Sequence, residues 1–185
     1  MDLLFGYGSL MNATSAKNTL RRPVVMFDAI LSGYTRDWSA REDVVVDKRR
    51  ITAAFLNITE APSRYVNGVC FPVTKTEIAD MDIREKSYRR VDVAEDLAFP
   101  ARPLRSAEGM SGTLQDADHV WTYVYAGAPG PEAQVLEGYY GKVRDGCQDL
   151  GERFYEMFVA TTEAVVLPMM SGAYLFADPE QERHV

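Results

Sequence analysis

The chain opens on Leu3-Leu4-Phe5-Gly6-Tyr7-Gly8-Ser9-Leu10, a short apolar strand candidate followed by two glycines on either side of a tyrosine. Glycines at these positions let the backbone turn tightly with its amide groups uncovered, and such amides can hold a carboxylate or a phosphate. The segment lacks the third glycine of a dinucleotide-binding fingerprint and the Gly-Lys-Ser/Thr ending of a Walker loop. It predicts either an anion-binding turn or an ordinary connection between a strand and a helix.

A second chemically informative segment is the helix that we expect to begin at Thr74, where a Thr followed three residues later by a Glu forms a capping box. In this helix Ile78, Met81 and Glu85 recur at helical spacing, so Glu85 continues the apolar stripe. Desolvation disfavours a charged carboxylate, and the negative end of the helix dipole acts in the same direction. Glu85 is therefore a candidate proton acceptor near neutral pH. The alternative is a surface carboxylate, paired with one of the arginines that follow.

The remaining pattern predicts strands, one short helix, more strands and two late helices. This order lacks the strict alternation of a doubly wound sheet. We expect one α+β domain over residues 1–185, in which helices surround a mixed sheet or partly closed β-barrel. Residues 94–118 are interpreted as a loop insertion and the last dozen residues as a loosely held polar tail. Further strands are predicted at Val24–Leu31 (ended by Gly33), Ile51–Ile58, Gly68–Val73, Tyr88–Val93 and Val120–Ala126, and further helices within 12–22 (capped by Asn12 or Thr14), from Pro131 and after Gly151.

Composition excludes several functional classes. The 185 residues include 20 basic and 27 acidic side chains, a net charge of −7, which argues against nucleic acid or an anionic membrane surface as a partner. No stretch approaches the roughly 20 apolar residues of a membrane span. The N-terminus has no signal-peptide pattern. We therefore expect a cytoplasmic protein.

The residues required for other kinds of chemistry are scarce. Cys70 and Cys147 lack the paired spacing of a zinc site and stand among apolar residues, so we expect buried free thiols. His119 and His184 are the two histidines of the chain. With so few, a Ser–His or Cys–His mechanism and a transition-metal site are both disfavoured. Tyr125 ends an aromatic strand, where its hydroxyl either packs in the core or reaches a polar ligand.

The ordered set of these motifs resembles the γ-glutamylcyclotransferase-like superfamily. Phe5–Leu10 is similar to the family's Tyr-Gly-Ser-Leu loop, and Asp82–Glu85 with the following Tyr88 is similar to its Asp-x-x-Glu segment. A weaker match combines Tyr123-Val124-Tyr125-Ala126 with Pro131, Tyr139-Tyr140 and Gly146. The matching motifs occur in family order from residue 3 to about residue 155.

The resemblance implies a small mixed β-barrel surrounded by helices, with no metal and no organic cofactor. It also implies a reaction in which the α-amine of a γ-glutamyl compound attacks its own γ-carbonyl. The products are 5-oxoproline and a released amino acid or amine. By resemblance Glu85 is the general acid and base. The substrate-binding residues are then Tyr7, Gly8, Ser9, Leu10, Tyr88 and Tyr125.

Several alternatives stay open at this stage. One is a glutathione-specific cyclotransferase, although residues 34–50 show no obvious counterpart of that branch's stretch rich in arginine, glycine and proline. A second is an enzyme that removes a γ-glutamyl group from a larger biosynthetic metabolite. A third is a noncatalytic module that binds γ-glutamyl compounds. The expected partner is a small γ-glutamyl molecule, and the chain is expected to be a monomer or a homodimer.

Overall fold

Two long strands, β2 (Phe27–Val46) and β3 (Arg49–Val73), form the centre of the structure, a computed structural model that describes residues 1–100, 117–128 and 132–184. They pair antiparallel through a two-residue turn in which Asp47 and Lys48 have φ of 48° and 66°. Positive φ at both positions matches the strand twist of a type I′ hairpin. The pairing register shifts between Ser32 and Tyr34 and again between Asp37 and Ala40.

These register shifts explain where the strand predictions differ from the structure. Gly33, at φ 82°, was expected to end a strand, but it lies within β2 at the first irregularity. The separate strands predicted at Ile51–Ile58 and Gly68–Val73 are parts of the continuous β3. A bulge bends a strand without ending it, so breaker residues within a long hairpin resemble strand ends.

The other elements have the following bounds. The shorter strands are β1 (Asp2–Gly6), β4 (Tyr88–Asp92), β5 (Leu97–Ala98), β6 (His119–Tyr125), β7 (Gln134–Leu136), β8 (Met169–Met170) and β9 (Tyr174–Phe176). The α-helices are α1 (Ala13–Leu20), α2 (Lys75–Arg84), α3 (Glu137–Asp149), α4 (Glu152–Ala160) and α5 (Pro179–Glu182). Single turns of 3-10 helix lie at Ser9–Met11 and Ala94–Asp96.

All the strands of the described residues belong to one mixed sheet, which is curled. Its main path runs β4-β6-β1-β3-β2-β5, with β7 on β3, β8 on β7 and β9 on β2. The two end strands, β4 and β5, are joined by only the four residues 93–96. Because four residues span at most about 14 Å, the two ends of the path lie close together. The prediction of a single α+β domain with a mixed sheet and surrounding helices is confirmed.

The predicted helix starts are partly confirmed. The Asn12 side chain caps α1, and Thr74 with Glu77 forms the capping box of α2. The helix expected from Pro131 begins instead at Glu137, because residues 134–136 extend alongside β3 and β8. Pro131 itself lies outside the described residues. Both cysteines are buried free thiols, as predicted.

The C-terminal segment differs from the loosely held tail that its polar composition suggested. Its strand β9 pairs with β2, and Asp178 caps α5. Gln181 is only 3% exposed and donates a hydrogen bond to the carbonyl oxygen of Arg84 at 3.0 Å. Polar side chains that cap a helix and bond buried backbone are ordered by those contacts.

The loop predicted at 94–118 is described only in part. Residues 94–98 form a 3-10 turn and β5, and residues 101–116 lie outside the described part of the chain. In the described ranges, no helix is long and apolar enough to cross a membrane.

Candidate active site

A cavity opens where β1 ends and its chain turns into the segment 7–10. The space between its walls, including open solvent at the mouth, is about 690 Å³. Its walls come from β1 and the following turn, β2, β3, the end of α2, β6, α3 and the C-terminal segment. Of the residues proposed from the sequence, it brings together Tyr7, Gly8, Ser9, Leu10, Glu85 and Tyr88.

The turn after β1 is fixed from both sides. The Tyr7 hydroxyl donates to the carbonyl oxygen of Tyr123 at 2.6 Å, and the amide of Met11 donates to the carbonyl oxygen of Gly8 at 3.0 Å. The amides of Ser9 and Leu10 begin the 3-10 turn, and such leading amides have no partner within their own helix. Within the described ranges, no backbone or side-chain acceptor is bonded to either amide. They are therefore available to an anionic group in the cavity.

Gly8 makes close packing possible at this turn. A Cβ atom built on Gly8 would lie 3.0 Å from the Tyr139 hydroxyl and 3.8 Å from the Cβ of Leu56. Tyr139 is a cavity residue on α3, and its hydroxyl lies 3.4 Å from the amide nitrogen of Leu56. A side chain at position 8 would therefore press on the cavity wall.

Glu85 is the C-cap residue of α2, close to the predicted end of that helix. Its amide donates to the carbonyl oxygen of Met81 at 2.8 Å, and its own carbonyl oxygen accepts from the amide of Tyr88 at 2.8 Å. These two bonds fix the backbone on both sides of the Glu85 carboxylate. The side chain lines the cavity and is 18% exposed. Glu85 is therefore not the exposed carboxylate of a frayed helix end.

Arg84 connects Glu85 to the turn after β1. This arginine is 5% exposed, and its Nε lies 3.1 Å from Oε1 of Glu85. Its other nitrogens donate to the Ser9 hydroxyl at 2.9 Å and to the Thr19 hydroxyl. Burial raises the pKa of Glu85 above its ordinary value, and the positive charge of Arg84 partly opposes this. The result is a carboxylate with increased proton affinity beside a turn with uncovered amides.

Tyr88 and Tyr125 have different positions. Tyr88 lines the cavity, whereas Tyr125 is not among the cavity residues. The Tyr125 ring meets the Tyr88 ring edge-on, with centroids 5.5 Å apart, and its amide donates to Asn57 Oδ1 at 2.9 Å. Tyr125 thus supports Tyr88 and is placed one layer behind the cavity.

The sequence analysis missed several cavity residues, and Glu42 is the most notable of them. It lies on β2 and is 8% exposed. Burial raises its pKa, a hydrogen bond from Ser87 opposes this, and the negative charge of Glu85 raises it further. A sequence signal did exist, because Ala40, Glu42 and Val44 share the inward face of β2 at a spacing of two. The run of charged residues around position 42 concealed it.

A second groove continues from the cavity. It shares Lys142, Tyr174 and Phe176 with the cavity. Its other walls include polar residues of the Asn12–α1 region and Glu182 of α5. Through this sharing the C-terminal segment forms part of both spaces.

The chemistry available here is acid–base and anion binding. Among the residues that the structure describes, no group of three or more His, Cys, Asp or Glu side chains is placed to hold a metal ion. The arrangement can hold the anionic end of a small molecule at the uncovered amides. It can also move a proton at a nearby atom through Glu85.

Comparison with known proteins gives a consistent result for the fold. A gamma-glutamyl cyclotransferase structure matches with a TM-score of 0.60 at 16% identity, covering 91% of this chain and 92% of that one. YkqA from Bacillus subtilis matches with a TM-score of 0.58 at 18% identity over 91% of this chain, which spans only 55% of YkqA. A glutathione-specific gamma-glutamyl cyclotransferase from yeast matches with a TM-score of 0.53 at 11% identity, covering 89% of each chain.

At these identities the structural matches establish the fold alone. No protein of curated function matches the sequence. The family model for gamma-glutamyl cyclotransferase, AIG2-like, matches residues 4–143, which include the turn after β1, Glu42 and Glu85. The chain therefore belongs to the gamma-glutamyl cyclotransferase, AIG2-like family.

Proposed function

We propose that this protein is a γ-glutamylcyclotransferase that releases 5-oxoproline from a small γ-glutamyl amino acid or γ-glutamyl amine, with Glu85 as general acid and base. The observation that carries the proposal is the placement of Glu85. Its carboxylate, whose pKa is raised by burial, lines the same cavity as the uncovered amides of Ser9 and Leu10. Family membership supports the same class of reaction.

Substrate binding begins at the turn after β1. The amides of Ser9 and Leu10 donate hydrogen bonds to the α-carboxylate of the γ-glutamyl group, as backbone amides at a tight turn do to anions. Holding this end of the substrate brings the α-nitrogen and the γ-carbonyl carbon together, so that ring closure proceeds from a favourable geometry. The leaving group then extends toward the second groove.

Proton transfer makes the bound amine reactive. The α-amine is mostly protonated at neutral pH and cannot attack in that form. Glu85 accepts one proton, and the freed lone pair adds to the γ-carbonyl carbon to close the five-membered ring. The bond from this carbon to the leaving nitrogen then breaks, and its electron pair goes to that nitrogen, which takes the proton from Glu85. The ring nitrogen loses its second proton to Glu85, and that proton ends on the expelled amine.

The test is 5-oxoproline release from γ-glutamyl-alanine, a γ-glutamyl amine and glutathione, measured for the wild type and for Glu85→Gln. General acid–base catalysis contributes about 10²- to 10⁴-fold, so we expect turnover to fall by that factor in Glu85→Gln. Asp80→Asn is the matched control, because it removes one negative charge from the same helix at a residue that does not line the cavity. It should leave turnover unchanged.

The result also separates this proposal from its rivals. If product forms only from glutathione, the chain is a glutathione-specific cyclotransferase. If a folded wild type makes no product from any of the three compounds, the proposal fails, and a binding module or a larger substrate takes its place. Product formation that persists in folded Glu85→Gln would remove Glu85 from the mechanism.

A further inference from the structure

Glu42 is a second buried carboxylate in the cavity, and the mechanism above does not use it. It is 8% exposed, and among the described residues its Oε1 atom has no hydrogen-bond partner. Buried carboxylates are normally paired with a cation or fully hydrogen-bonded, because an unpartnered charge is costly away from water. Glu42 lines the cavity and, among the described residues, forms no ion pair, so its carboxylate can take a partner that arrives with a ligand.

The protein groups around Glu42 do not supply this partner. Lys86 forms its ion pair with Asp178, and Arg84 forms its ion pair with Glu85. Ser87 and Gln181 lie close enough to favour the charged form of Glu42, yet Oε1 stays unbonded. Glu85 adds negative charge to the same space. Lys86 adds positive charge from its pair with Asp178. A cationic ligand group is favoured because Glu42 has no ion-pair partner of its own among the described residues.

The position of Glu42 identifies which part of a substrate carries the cationic group. Glu42 lines the cavity together with Glu85 and the turn after β1, and it is absent from the walls of the second groove. The leaving group extends toward that groove, whereas the glutamyl part lies in the cavity. The cationic group of the glutamyl part is its α-ammonium, which carries three N–H donors.

We propose that Glu42 is a specificity-determining residue, whose carboxylate accepts a hydrogen bond from the substrate's α-ammonium while Glu85 takes the reacting proton. This inference rests on the proposed function, because it assumes a γ-glutamyl ligand in the cavity. Glu42 makes a free α-amino group a requirement for binding. Compounds that carry only the carboxylate and the amide chain are rejected.

The experiment compares two ligands that differ only in the α-amino group. Binding of γ-glutamyl-alanine and of glutaryl-alanine is measured by calorimetry in Glu85→Gln, where turnover is expected to be slowed by the factor given above, and in Glu85→Gln with Glu42→Gln. A hydrogen bond to a charged group corresponds to about a 10- to 100-fold difference in affinity. We expect Glu85→Gln to prefer γ-glutamyl-alanine by such a factor and the double variant to lose the preference.

Asp43→Asn in the Glu85→Gln background is the matched control. Asp43 is the next residue on β2, points to the exposed face and pairs with Arg50 at 2.7 Å. Asp43→Asn removes a negative charge one residue away from Glu42. The preference for γ-glutamyl-alanine over glutaryl-alanine should therefore be unchanged. If Glu42→Gln does not fold, Glu42→Asp keeps the charge but shortens the side chain, and a smaller preference than that of Glu85→Gln alone is expected.

Kinetics in the Glu85-intact protein give the second measurement. Glu42→Gln should raise KM by the same factor for γ-glutamyl-alanine and for a γ-glutamyl diamine, with a smaller effect on kcat than Glu85→Gln. A KM increase confined to the diamine would overturn the inference, because Glu42 would then recognise a cationic leaving group. An unchanged binding preference in folded variants would overturn it as well.

The two proposals can fail separately. Normal 5-oxoproline release together with an unchanged preference would leave the cyclotransferase intact and remove the role of Glu42. Absence of product, with a preference that depends on Glu42, would overturn the catalytic proposal and support recognition of the α-ammonium. Absence of both product and preference would overturn both.

Discussion

Charged side chains are buried in two regions of the molecule, around Arg36 and in the cavity. The two regions differ in how the protein pairs the buried charges. Arg36 on β2 is 0% exposed, and both of its terminal nitrogens are bonded, to Asn67 and to Thr162. The Phe158 ring lies against its guanidinium, 4.6 Å from ring centroid to Cζ. Burial lowers the pKa of Arg36 to about 10. Because this value is still well above neutral pH, Arg36 stays charged there. The protein bonds this charge at its two terminal nitrogens, and among the described residues Nε has no hydrogen-bond partner.

In the cavity, by contrast, the buried carboxylates have few protein partners. Glu42 has an unbonded oxygen, and Glu85 has a single arginine partner, with burial raising the pKa of both. Both terminal nitrogens of Arg36 are bonded within the fold, whereas Glu42 forms no ion pair among the described residues and Glu85 has one ion-pair partner. The contrast separates residues whose substitution lowers the free energy of unfolding from residues whose substitution lowers activity. Each prediction below tests that separation.

The largest effect on stability is expected for Arg36→Met. The substitution removes the Arg36 donors from the buried Asn67 carbonyl oxygen and from the half-buried Thr162 hydroxyl, at about 1–3 kcal/mol for a buried acceptor, partly offset by removal of a buried charge. We expect the free energy of unfolding to fall by about 2–3 kcal/mol in urea denaturation. Turnover per folded molecule should change little, because Arg36 does not line the cavity.

Two variants complete this comparison. Arg144→Met removes an exposed arginine that pairs with Asp145, and should change stability by less than about 0.5 kcal/mol. Glu85→Gln should lower stability less than Arg36→Met, because the raised pKa of Glu85 means that folding disfavours its charged form, and Gln keeps a polar side chain beside Arg84. Equal losses in Arg36→Met and Glu85→Gln would show that the two regions do not differ as described.

A smaller effect is expected in the pH dependence of stability. Because the pKa values of Glu42 and Glu85 are raised on folding, the folded state binds more protons than the unfolded state above the ordinary Glu pKa. Their contribution is fully present below that pKa and is lost as the pH rises through the folded pKa values. Each pH unit between folded and unfolded pKa corresponds to about 1.4 kcal/mol.

The measurement is the difference in unfolding free energy between the wild type and the variant that carries both Glu42→Gln and Glu85→Gln, taken from pH 4 to pH 8. Taking the difference removes carboxylates with the opposite behaviour, such as Asp178, whose hydrogen bond from Lys86 lowers its pKa to about 2. The wild type should lose stability relative to the variant as the pH rises. A difference that is constant with pH would contradict the described burial of the two carboxylates.

The parts of the site that sequence alone predicted are those that depend on local chemistry. The turn after β1 follows from its glycines, and the position of Glu85 follows from a capping box and helical spacing within one short helix. Glu42 and Gln181 depend instead on long-range pairing. The burial of Glu42 requires the register of β2 against β3, and the burial of Gln181 requires β9 to pair with β2. A polar tail carries no local sign of such burial, and the charged residues around Glu42 concealed the inward alternation of positions 40, 42 and 44.

Tyr125 gives the smallest expected effect and the sharpest test of where the cavity ends. The sequence grouped it with the substrate-binding residues, but the structure places its ring against Tyr88, with centroids 5.5 Å apart, and outside the cavity walls. Tyr125→Phe keeps that edge-on contact and removes only the hydroxyl. We therefore expect kcat and KM within about threefold of the wild type, less than about 0.7 kcal/mol, and a nearly unchanged Tm. Tyr88→Phe is the matched comparison, because its hydroxyl belongs to a cavity residue. If Tyr125→Phe lowers turnover tenfold while the Tm holds, the cavity extends past Tyr88 and the prediction that Tyr125 binds substrate is supported.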